Sequence, residues 1–254
     1  MKISVITVTY NSEKFLHRNI ESVNKQTYKN LEHIFIDGMS GDSTVEIMKM
    51  SKRDSKVVSE KDYGIYDAMN KGIDLSSGDI ICFLNSDDFY MDENILERVA
   101  SKFRESNCKI LTSNIIFIDE SGNPNRMYRS VGFRRWMFKF GYMPAHPGTF
   151  FSRSIIQKVG QFKTDFQISS DFDYMLRAYE IVNQKEICEL DKISVSMNHG
   201  GISTKSFVSN LIITREMHKS LKINKQYANY LLLLMRLPIK FFDKLIFRLK
   251  NITK

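Results

Sequence analysis

The chain has 254 residues, 43% of them hydrophobic and 26% charged, which is typical of one large globular α/β domain or one domain with an appendage. The net charge of +8 lies in the tail, because residues 219–254 carry nine Lys and Arg and one Asp, whereas residues 1–218 carry 28 basic and 28 acidic residues. A neutral main part argues against nucleic-acid binding. Three scattered cysteines, no signal peptide and no apolar run of membrane-spanning length predict a cytoplasmic protein.

The first half of the chain alternates between strand and helix patterns. Residues 3–8, 33–37 and 56–59 are short β-branched or apolar runs, and residues 15–23 and 44–50 have helical spacing between them. This alternation predicts a parallel, doubly wound sheet. Polar residues at the strand ends would then line one edge, where open α/β folds bind ligands.

The rest of the chain is organised around residues 79–88. An apolar run over residues 80–84 ends abruptly in Asn85-Ser86-Asp87-Asp88. Carboxylates at the carboxyl end of a buried strand suit Mg²⁺ or Mn²⁺ shared with substrate phosphates. The alternative interpretation is a polar turn or a helix N-cap, since Asp is favoured there.

Residues 60–72 predict a turn followed by a helix. Gly64 allows close backbone approach after Asp62, and residues 65–73 have one apolar helical face. Taken alone, Asn70-Lys71-Gly72 is interpreted as an ordinary helix C-cap.

The second half is less regular. Residues 93–103 predict an amphipathic helix, and the turn signal at residues 121–125 predicts a hairpin over residues 110–130. We expect this second half to bind a different, more variable ligand than the first half.

The tail predicts helices. Residues 204–222 form one, with Phe207, Leu211, Ile212 and Met217 as its apolar side. After Pro238 a second apolar face is flanked by a basic stripe, a pattern typical of an interfacial membrane helix that binds anionic lipid. The alternative is a helix packed on the domain with a solvated basic face. The residues of this second helix are apolar Phe241, Phe242, Leu245, Ile246 and Leu249, and basic Lys240, Lys244 and Arg248.

Taken in order, these motifs resemble the family 2 glycosyltransferases, inverting enzymes with a GT-A, Rossmann-like fold in which helices flank a mixed, mainly parallel sheet. The resemblance covers roughly residues 1–205 and leaves residues 206–254 as a C-terminal helical extension. It extends to the subgroup that builds bacterial polysaccharide and O-antigen chains, through residues 64–72 and 200–203. The matching segments are Thr9-Tyr10-Asn11, residues 31–38, Asn85-Ser86-Asp87 in place of the Asp-x-Asp metal motif, and residues 146–151 and 169–177.

The resemblance implies a metal-dependent hexosyltransferase that takes a sugar from a nucleotide-diphosphate donor to a glycan or lipid-linked acceptor, at the cytoplasmic face of the inner membrane. It implies Asp171 as general base, Asp87 as ligand of Mg²⁺ or Mn²⁺, His146 and Asp173 on the acceptor side, and His199, Gly200 and Gly201 in a loop over the diphosphate. The residues implied on the donor side are Thr9, Tyr10, Asn11, Asp37, Asp62, Gly64, Asn70, Lys71, Asn85 and Ser86.

Several alternatives stay open at this point. Asp171 also suits a helix N-cap, Asp173 is the competing carboxylate and could instead pair with Arg177, and His146 faces either the acceptor or a core hydrogen bond. His199 contacts metal or phosphate, or is structural.

Two departures from the family pattern matter for function. Asp37-Gly38 stands where paired acids are common, and Asn85 replaces the first acid of the metal motif, which favours a non-catalytic sugar-nucleotide-binding or scaffold protein as the alternative function. The chain's one Trp, Trp136, precedes Asp171, so the Gln-x-x-Arg-Trp motif of processive synthases is absent and addition of a single sugar is expected.

Overall fold

The computed structural model describes residues 1–119, 121–198 and 207–239, and the side chain of Phe207 is not among them. The described residues form a nine-stranded sheet with helices on both faces. The strands are β1 (Ile3–Thr9), β2 (Leu31–Asp37), β3 (Asp54–Ser59), β4 (Ile80–Phe83), β5 (Phe89–Tyr90), β6 (Ile110–Ile118), β7 (Pro124–Tyr128), β8 (Thr149–Ser152) and β9 (Ile187–Asn198). The helices are α1 (Glu13–Asn24), α2 (Thr44–Met48), α3 (Ile65–Leu75), α4 (Ile95–Glu105), α5 (Arg153–Val159), α6 (Ser170–Ile181), α7 (Phe207–Ile223) and α8 (Tyr230–Leu234), with 3₁₀ helices at Arg135–Phe140, His146–Gly148 and Gln184–Glu186.

The first half of the sheet is parallel, in the order β3-β2-β1-β4. Every residue of β1, β2 and β4 is buried, because helices cover both faces of these strands. The register pairs Thr9 with Asp37 and Asp37 with Ser59, so the strand ends meet at one edge. The predicted doubly wound half is thus confirmed, with the polar strand ends at one edge.

The second half is mixed. β4 pairs antiparallel with β8, β8 antiparallel with β6, and β6 parallel with β9. β7 folds back antiparallel on β6, which confirms the predicted hairpin over residues 110–130.

Helix α3 lies very close to the sheet. A Cβ added at Gly72 would come within 2.4 Å of Cγ2 of Ile6 on β1, so this crossing requires glycine. Because α3 continues to Leu75, the interpretation of Asn70-Lys71-Gly72 as a C-cap is wrong. The sequence signal failed because a packing glycine and a capping glycine are the same residue type.

The C-terminal helices pack on α6. Buried Ile213, Met217 and Leu221 of α7 and Leu233 of α8 belong to the same apolar cluster as the core of α6. Leu211 is 53% exposed, so the predicted apolar side of α7 is wrong at that position. The predicted boundary between residues 205 and 206 lies outside the described residues, and so do Lys240 and the later residues of the basic helix predicted after Pro238.

Within the described ranges, no helix combines the length and the apolar character that crossing a bilayer requires.

Candidate functional site

The loop after β2 is built around the buried carboxylate of Asp37. It accepts hydrogen bonds from Thr9 Oγ1 at 3.1 Å, from the Ser40 backbone N–H at 2.9 Å and from Ser59 Oγ at 2.7 Å, and also from the Ser40 hydroxyl. Burial raises the pKa of Asp37, but these hydrogen bonds outweigh burial and hold the pKa below its usual value. Asp37 is therefore an ionised carboxylate in a preformed setting, at the strand end where the sequence predicts a donor-binding acid.

Three more predicted donor-side residues meet around Gly38. A Cβ at Gly38 would lie 2.8 Å from Oδ2 of Asp62 and 3.4 Å from the ring of Tyr10, which is 68% exposed. Oδ1 of Asp62 accepts from the backbone N–H of Gly64 at 3.0 Å, where a φ of 112° at the start of α3 favours glycine. The arrangement leaves an open surface with a flat ring on one side and a carboxylate on the other.

Asn11 makes hydrogen bonds to the loop after β2, in contrast to the donor contact predicted for it. It adopts a φ of 48°, its Oδ1 accepts from the Gly41 N–H at 2.9 Å, and its own N–H donates to Ser40 Oγ at 2.8 Å. These bonds connect the loops after β1 and β2. Ser86 is brought to the same edge, since its Oγ lies 2.9 Å from Ser12 Oγ.

The turn after β4 carries Asp87 and Asp88. The side-chain N–H₂ of Asn19 on α1 donates to the carbonyls of Asn85 at 2.8 Å and of Asp88 at 3.0 Å, which fixes the turn. Asn85 in turn donates to Oδ2 of Asp88 at 3.3 Å. Asp87 is half-buried and Asp88 is 1% exposed.

The electrostatics of this turn differ from those at Asp37. Burial raises the pKa of Asp87, and burial followed by the charge of Asp87 raises the pKa of Asp88 well above its usual value. Oδ1 of Asp88 and Oδ1 of Asn85 are buried and have no hydrogen-bond partner in the described part of the chain. An unpartnered buried oxygen beside a second carboxylate is a setting that a cation would satisfy.

The residues present fit a divalent cation shared with phosphates. The described residues contain no group of three or more His, Cys, Asp and Glu that could hold a metal ion by themselves. Mg²⁺ bound with a nucleotide needs one or two carboxylates, since phosphates and water supply its other ligands. Asp87, with Asp88 directly behind it, meets that requirement.

β9 ends beside this turn, because Asn198 Nδ2 donates to the Asp87 carbonyl at 3.0 Å. His199, Gly200 and Gly201, predicted to cover the diphosphate, follow directly in sequence and lie outside the described residues.

Asp171 is the second residue of α6. Ser169 occupies the N-cap position, so the interpretation of Asp171 as the N-cap is wrong, and its Oδ1 accepts from the adjacent Phe172 N–H at 2.8 Å. Asp171 is half-buried. The pKa of Tyr66 on α3 is raised first by the burial of Tyr66 itself and next by the charge of Asp171. The carboxylate therefore lies near the start of α3, which carries the donor-side turn.

Asp173 is a structural residue. Its fully buried carboxylate pairs with Lys163 at 3.1 Å and Arg177 at 2.7 Å, and it accepts from Ser220 Oγ and Asn224 Nδ2, both at 2.9 Å. This network ties α6 to α7. It speaks against Asp173 as a competing base or an acceptor contact, and it confirms the alternative pairing with Arg177.

Asn70 and Lys71 also differ from their predicted donor-side role. Asn70 exchanges two hydrogen bonds with the backbone of Phe162, at 2.9 and 2.7 Å. Lys71 Nζ donates to the Lys61 carbonyl at 2.9 Å and pairs with Glu60 at 2.9 Å, the pairing that most raises its pKa. Both side chains hold neighbouring loops in place.

His146 lies inside an aromatic cluster. Its ring stacks on Phe83 with centroids 4.8 Å apart and meets the edge of Phe162 at 5.6 Å. Burial lowers its pKa to about 4, so the imidazole is neutral at pH 7. Nε2 is buried without a hydrogen-bond partner among residues that the structure describes, so His146 does not make the core hydrogen bond considered above through that atom.

A family model named "Glycosyl transferase family 2" matches residues 4–166. The chain belongs to this family. An uncharacterized glycosyltransferase of Mycobacterium tuberculosis is 33% identical over 202 residues, which cover 76% of this chain and 76% of that protein. A PGL/p-HBAD biosynthesis glycosyltransferase of Mycobacterium bovis is 27% identical over 188 residues and 69% of each chain.

Solved structures share the fold of this family 2 protein. The crystal structure of S. aureus TarS 1–349 in complex with UDP-GlcNAc superposes with a TM-score of 0.69 at 20% identity, covering 87% of this chain and 66% of that one. The mannosyltransferase PcManGT from Pyrobaculum calidifontis, in complex with GDP-Man and Mn²⁺, gives a TM-score of 0.66 at 13% identity, covering 90% and 65%. The predicted GT-A fold is thus confirmed.

Proposed function

We propose that this family 2 protein is an inverting, non-processive glycosyltransferase that moves one sugar from a nucleotide-diphosphate sugar to a hydroxyl of a glycan or lipid-linked acceptor. The observation that carries the proposal is a cavity of about 240 Å³ between the donor-side turn and the segment before Asp171. It is lined by Tyr63, Gly64, Ile65, Tyr66, Thr164, Phe166 and Gln167. The start of α3, which carries Gly64, and the segment that leads to the proposed base therefore line one recess.

The donor side orients the nucleotide. Asp37, already ionised and held by its neighbours, suits hydrogen bonds from a base or a ribose. Tyr10 and Asp62 flank Gly38, where the absence of a side chain lets a planar ring approach. That TarS and PcManGT were solved with UDP-GlcNAc and GDP-Man supports a nucleotide sugar at this edge.

Asp87 would hold the cation, with Asp88 behind it. When bound, Mg²⁺ or Mn²⁺ would neutralise charge on the diphosphate leaving group. That PcManGT was solved with Mn²⁺ supports this choice of ion. The two buried, unpartnered oxygens at Asn85 and Asp88 give this turn a physical reason to bind a cation.

Asp171 would take the proton from the acceptor hydroxyl as its oxygen attacks the anomeric carbon. The carbon–oxygen bond to the diphosphate breaks as the new glycosidic bond forms on the opposite face, so the anomeric centre inverts. One base is enough for this displacement, in contrast to retaining hydrolysis through a covalent intermediate.

The substitution Asp171→Asn tests the proposal. We expect donor affinity close to the wild type, because the donor-side turn is untouched, and transfer lower by roughly 10²–10⁴, the range for losing a general base. Donor affinity is measured by calorimetry with a panel of nucleotide sugars, and transfer by release of the nucleoside diphosphate in the presence of glycan acceptors.

The matched control is Asp165→Asn, six residues before Asp171. It removes an exposed carboxylate that pairs with Lys219 and leaves the cavity intact. Transfer at the wild-type rate by Asp171→Asn would exclude Asp171 as the base. A wild type that binds nucleotide sugars but transfers to no acceptor would favour the alternative, a non-catalytic sugar-nucleotide-binding protein.

We further propose that the basic tail holds the protein on an anionic membrane surface, which would suit a lipid-linked acceptor. Leu231 is 75% exposed, and Tyr230 and Met235 are each 48% exposed. These exposed apolar side chains support a contact between this part of the chain and the membrane surface. Leu233 and Arg236, in contrast, are buried against the domain. Truncation after residue 239 is therefore the appropriate variant, and we expect it to lose binding to anionic liposomes while donor affinity is retained. A full-length protein that ignores such liposomes at low salt would refute the membrane proposal.

A further inference from the structure

The backbone segment before α6 is held by one carboxylate of α7. Oε1 of Glu216 accepts from the Gln167 N–H at 2.6 Å, and Oε2 accepts from the N–H groups of Ile168 and Ser169 at 3.0 and 2.9 Å. Three consecutive donors thus converge on a single side chain. Because hydrogen bonds to an ionised acceptor are about twice as strong as neutral ones, this contact fixes the path of the segment.

The opposite side of the segment is held by α3. The hydroxyl of Tyr66, which is 8% exposed, donates to the Ile168 carbonyl. Tyr66 lies two residues after Gly64, in the first turn of the helix that begins at the donor-side turn. Residues 167–169 are therefore clamped between a donor-side helix and the C-terminal helix α7.

The clamp ends two residues before Asp171. Ser169, at the N-cap position of α6, makes no side-chain cap hydrogen bond, so the entry into this helix depends on Glu216 and not on a local cap. Where the first turn of α6 points decides where the Asp171 carboxylate lies. A misplacement of about 1 Å in a reacting group can cost roughly 10²-fold in rate.

We propose that Glu216 is a positioning residue for Asp171, which makes α7 a working part of the active site. The inference rests on the proposed function, in which Asp171 is the base. Glu216 lies beyond residues 4–166, the part of the chain that the family model matches. Under the proposed function, the base Asp171 would thus be oriented by helix α7, which lies outside the region that the family model matches.

The test uses Glu216→Gln in the full-length protein. The substitution keeps the size of the side chain but replaces one accepting oxygen by an NH₂ group that faces N–H donors. We expect kcat to fall by roughly 10- to 100-fold while KM for the donor stays unchanged. Amide hydrogen exchange at residues 167–171 is expected to accelerate. Glu216→Asp keeps the charge on a shorter side chain, so its kcat and its exchange rate are expected to lie between those of the wild type and Glu216→Gln.

Lys219→Met is the matched control, one turn further along α7. Lys219 pairs with Asp165 at 2.7 Å and lies 4.7 Å from the ring of Phe166, so it touches the same loop without contacting the clamped amides. We expect it to leave kcat and the exchange of residues 167–171 unchanged.

Three outcomes overturn the inference: kcat of Glu216→Gln within about twofold of the wild type, an equal fall in Lys219→Met, or a parallel loss of donor affinity. Should Glu216→Gln fail to fold, Glu216→Asp decides, since wild-type turnover together with wild-type exchange would also refute it. Failure of the proposed function is distinguishable, because it would appear as undiminished transfer by Asp171→Asn, whereas the exchange experiment reads the clamp without any turnover.

Discussion

The loops after β2 and β4 end at the same edge of the sheet, but their carboxylates have opposite surroundings. Asp37 is buried among Thr9, Ser40 and Ser59, which all donate to it, and its pKa is held low. Asp88 is equally buried, but within the described residues Oδ1 has no donor, and its pKa is raised. The first loop satisfies its carboxylate without a ligand, whereas the second leaves a buried carboxylate oxygen that a proton or a cation would satisfy.

Under the proposed function, this difference would suit one edge to two tasks. A preformed acceptor such as Asp37 recognises neutral hydroxyl or amine donors at little reorganisation cost. The buried carboxylates of Asp87 and Asp88 would gain most from a cation, and the cation would gain most from phosphates bound with it. The loop after β1 connects the two, since Ser12 Oγ lies 2.9 Å from Ser86 Oγ and Asn11 Oδ1 accepts from the Gly41 N–H, so nucleotide and cation would be bound in a fixed relation.

Among substitutions in these two loops, the largest effect is expected for Asp87→Asn. Removing the charge that would hold the cation is expected to lower transfer by roughly 10²–10³, comparable to losing one strong electrostatic contact to developing charge. Donor affinity in Mn²⁺ is expected to fall to the value in EDTA. Calorimetry with UDP, GDP and dTDP in both conditions measures this, and equal wild-type affinity with and without metal would refute the role of Asp87.

Asp37→Asn is expected to have the next largest effect, on stability. The new amide places N–H₂ against the donors of Ser40 and Ser59, so the free energy of unfolding is expected to fall by about 1–3 kcal/mol. Urea unfolding in EDTA checks the value. An unchanged midpoint would mean that the loop after β2 is not preformed as described.

Asp88→Asn is expected to have the smallest effect, with the opposite sign. Because the folded pKa of Asp88 is raised, its contribution to stability is present below pH 3.8 and is lost as pH rises through the folded pKa. In EDTA at pH 7 the variant is therefore expected to be more stable than the wild type by about 1 kcal/mol, and the gain is expected to vanish near pH 4. Thermal melts across this range test the sign, and a destabilised variant at pH 7 in EDTA would contradict the unsatisfied state of this turn.

Local sequence patterns predicted much of the donor half. β1, β2 and β4 are short apolar runs that end in polar residues, and both features are readable without knowing what packs against them. The same patterns placed Asp37 and Asp87 at one edge, since parallel strands bring their carboxyl ends together. Asn19, which fixes the turn after β4 from α1, could not be predicted from the sequence, because a polar residue inside a helix pattern is usually solvent-exposed.

Predictions were weaker where several roles share one residue type. Asn70 and Lys71 have the chemistry of ligand contacts, but tertiary packing brought Phe162 and Glu60 to them instead. Residues 206–254 were predicted as a helical extension, and within it Ser220 of α7 and Asn224 just after α7 join the buried network around Asp173. Where the extension begins stays a prediction.

The sequence by itself determined the strand–helix alternation, the polar strand ends and the resemblance to glycosyl transferase family 2, because these depend on residue order and local periodicity. Only the tertiary structure shows how Asp171 and Asp173 differ in their surroundings. The two lie on one helix about 200° apart around its axis, so Asp173 is buried in the network that reaches Ser220 of α7, whereas Asp171 is half-buried. It also brought Glu216 to the segment before the base, a contact between residues far apart in the chain that no local pattern encodes.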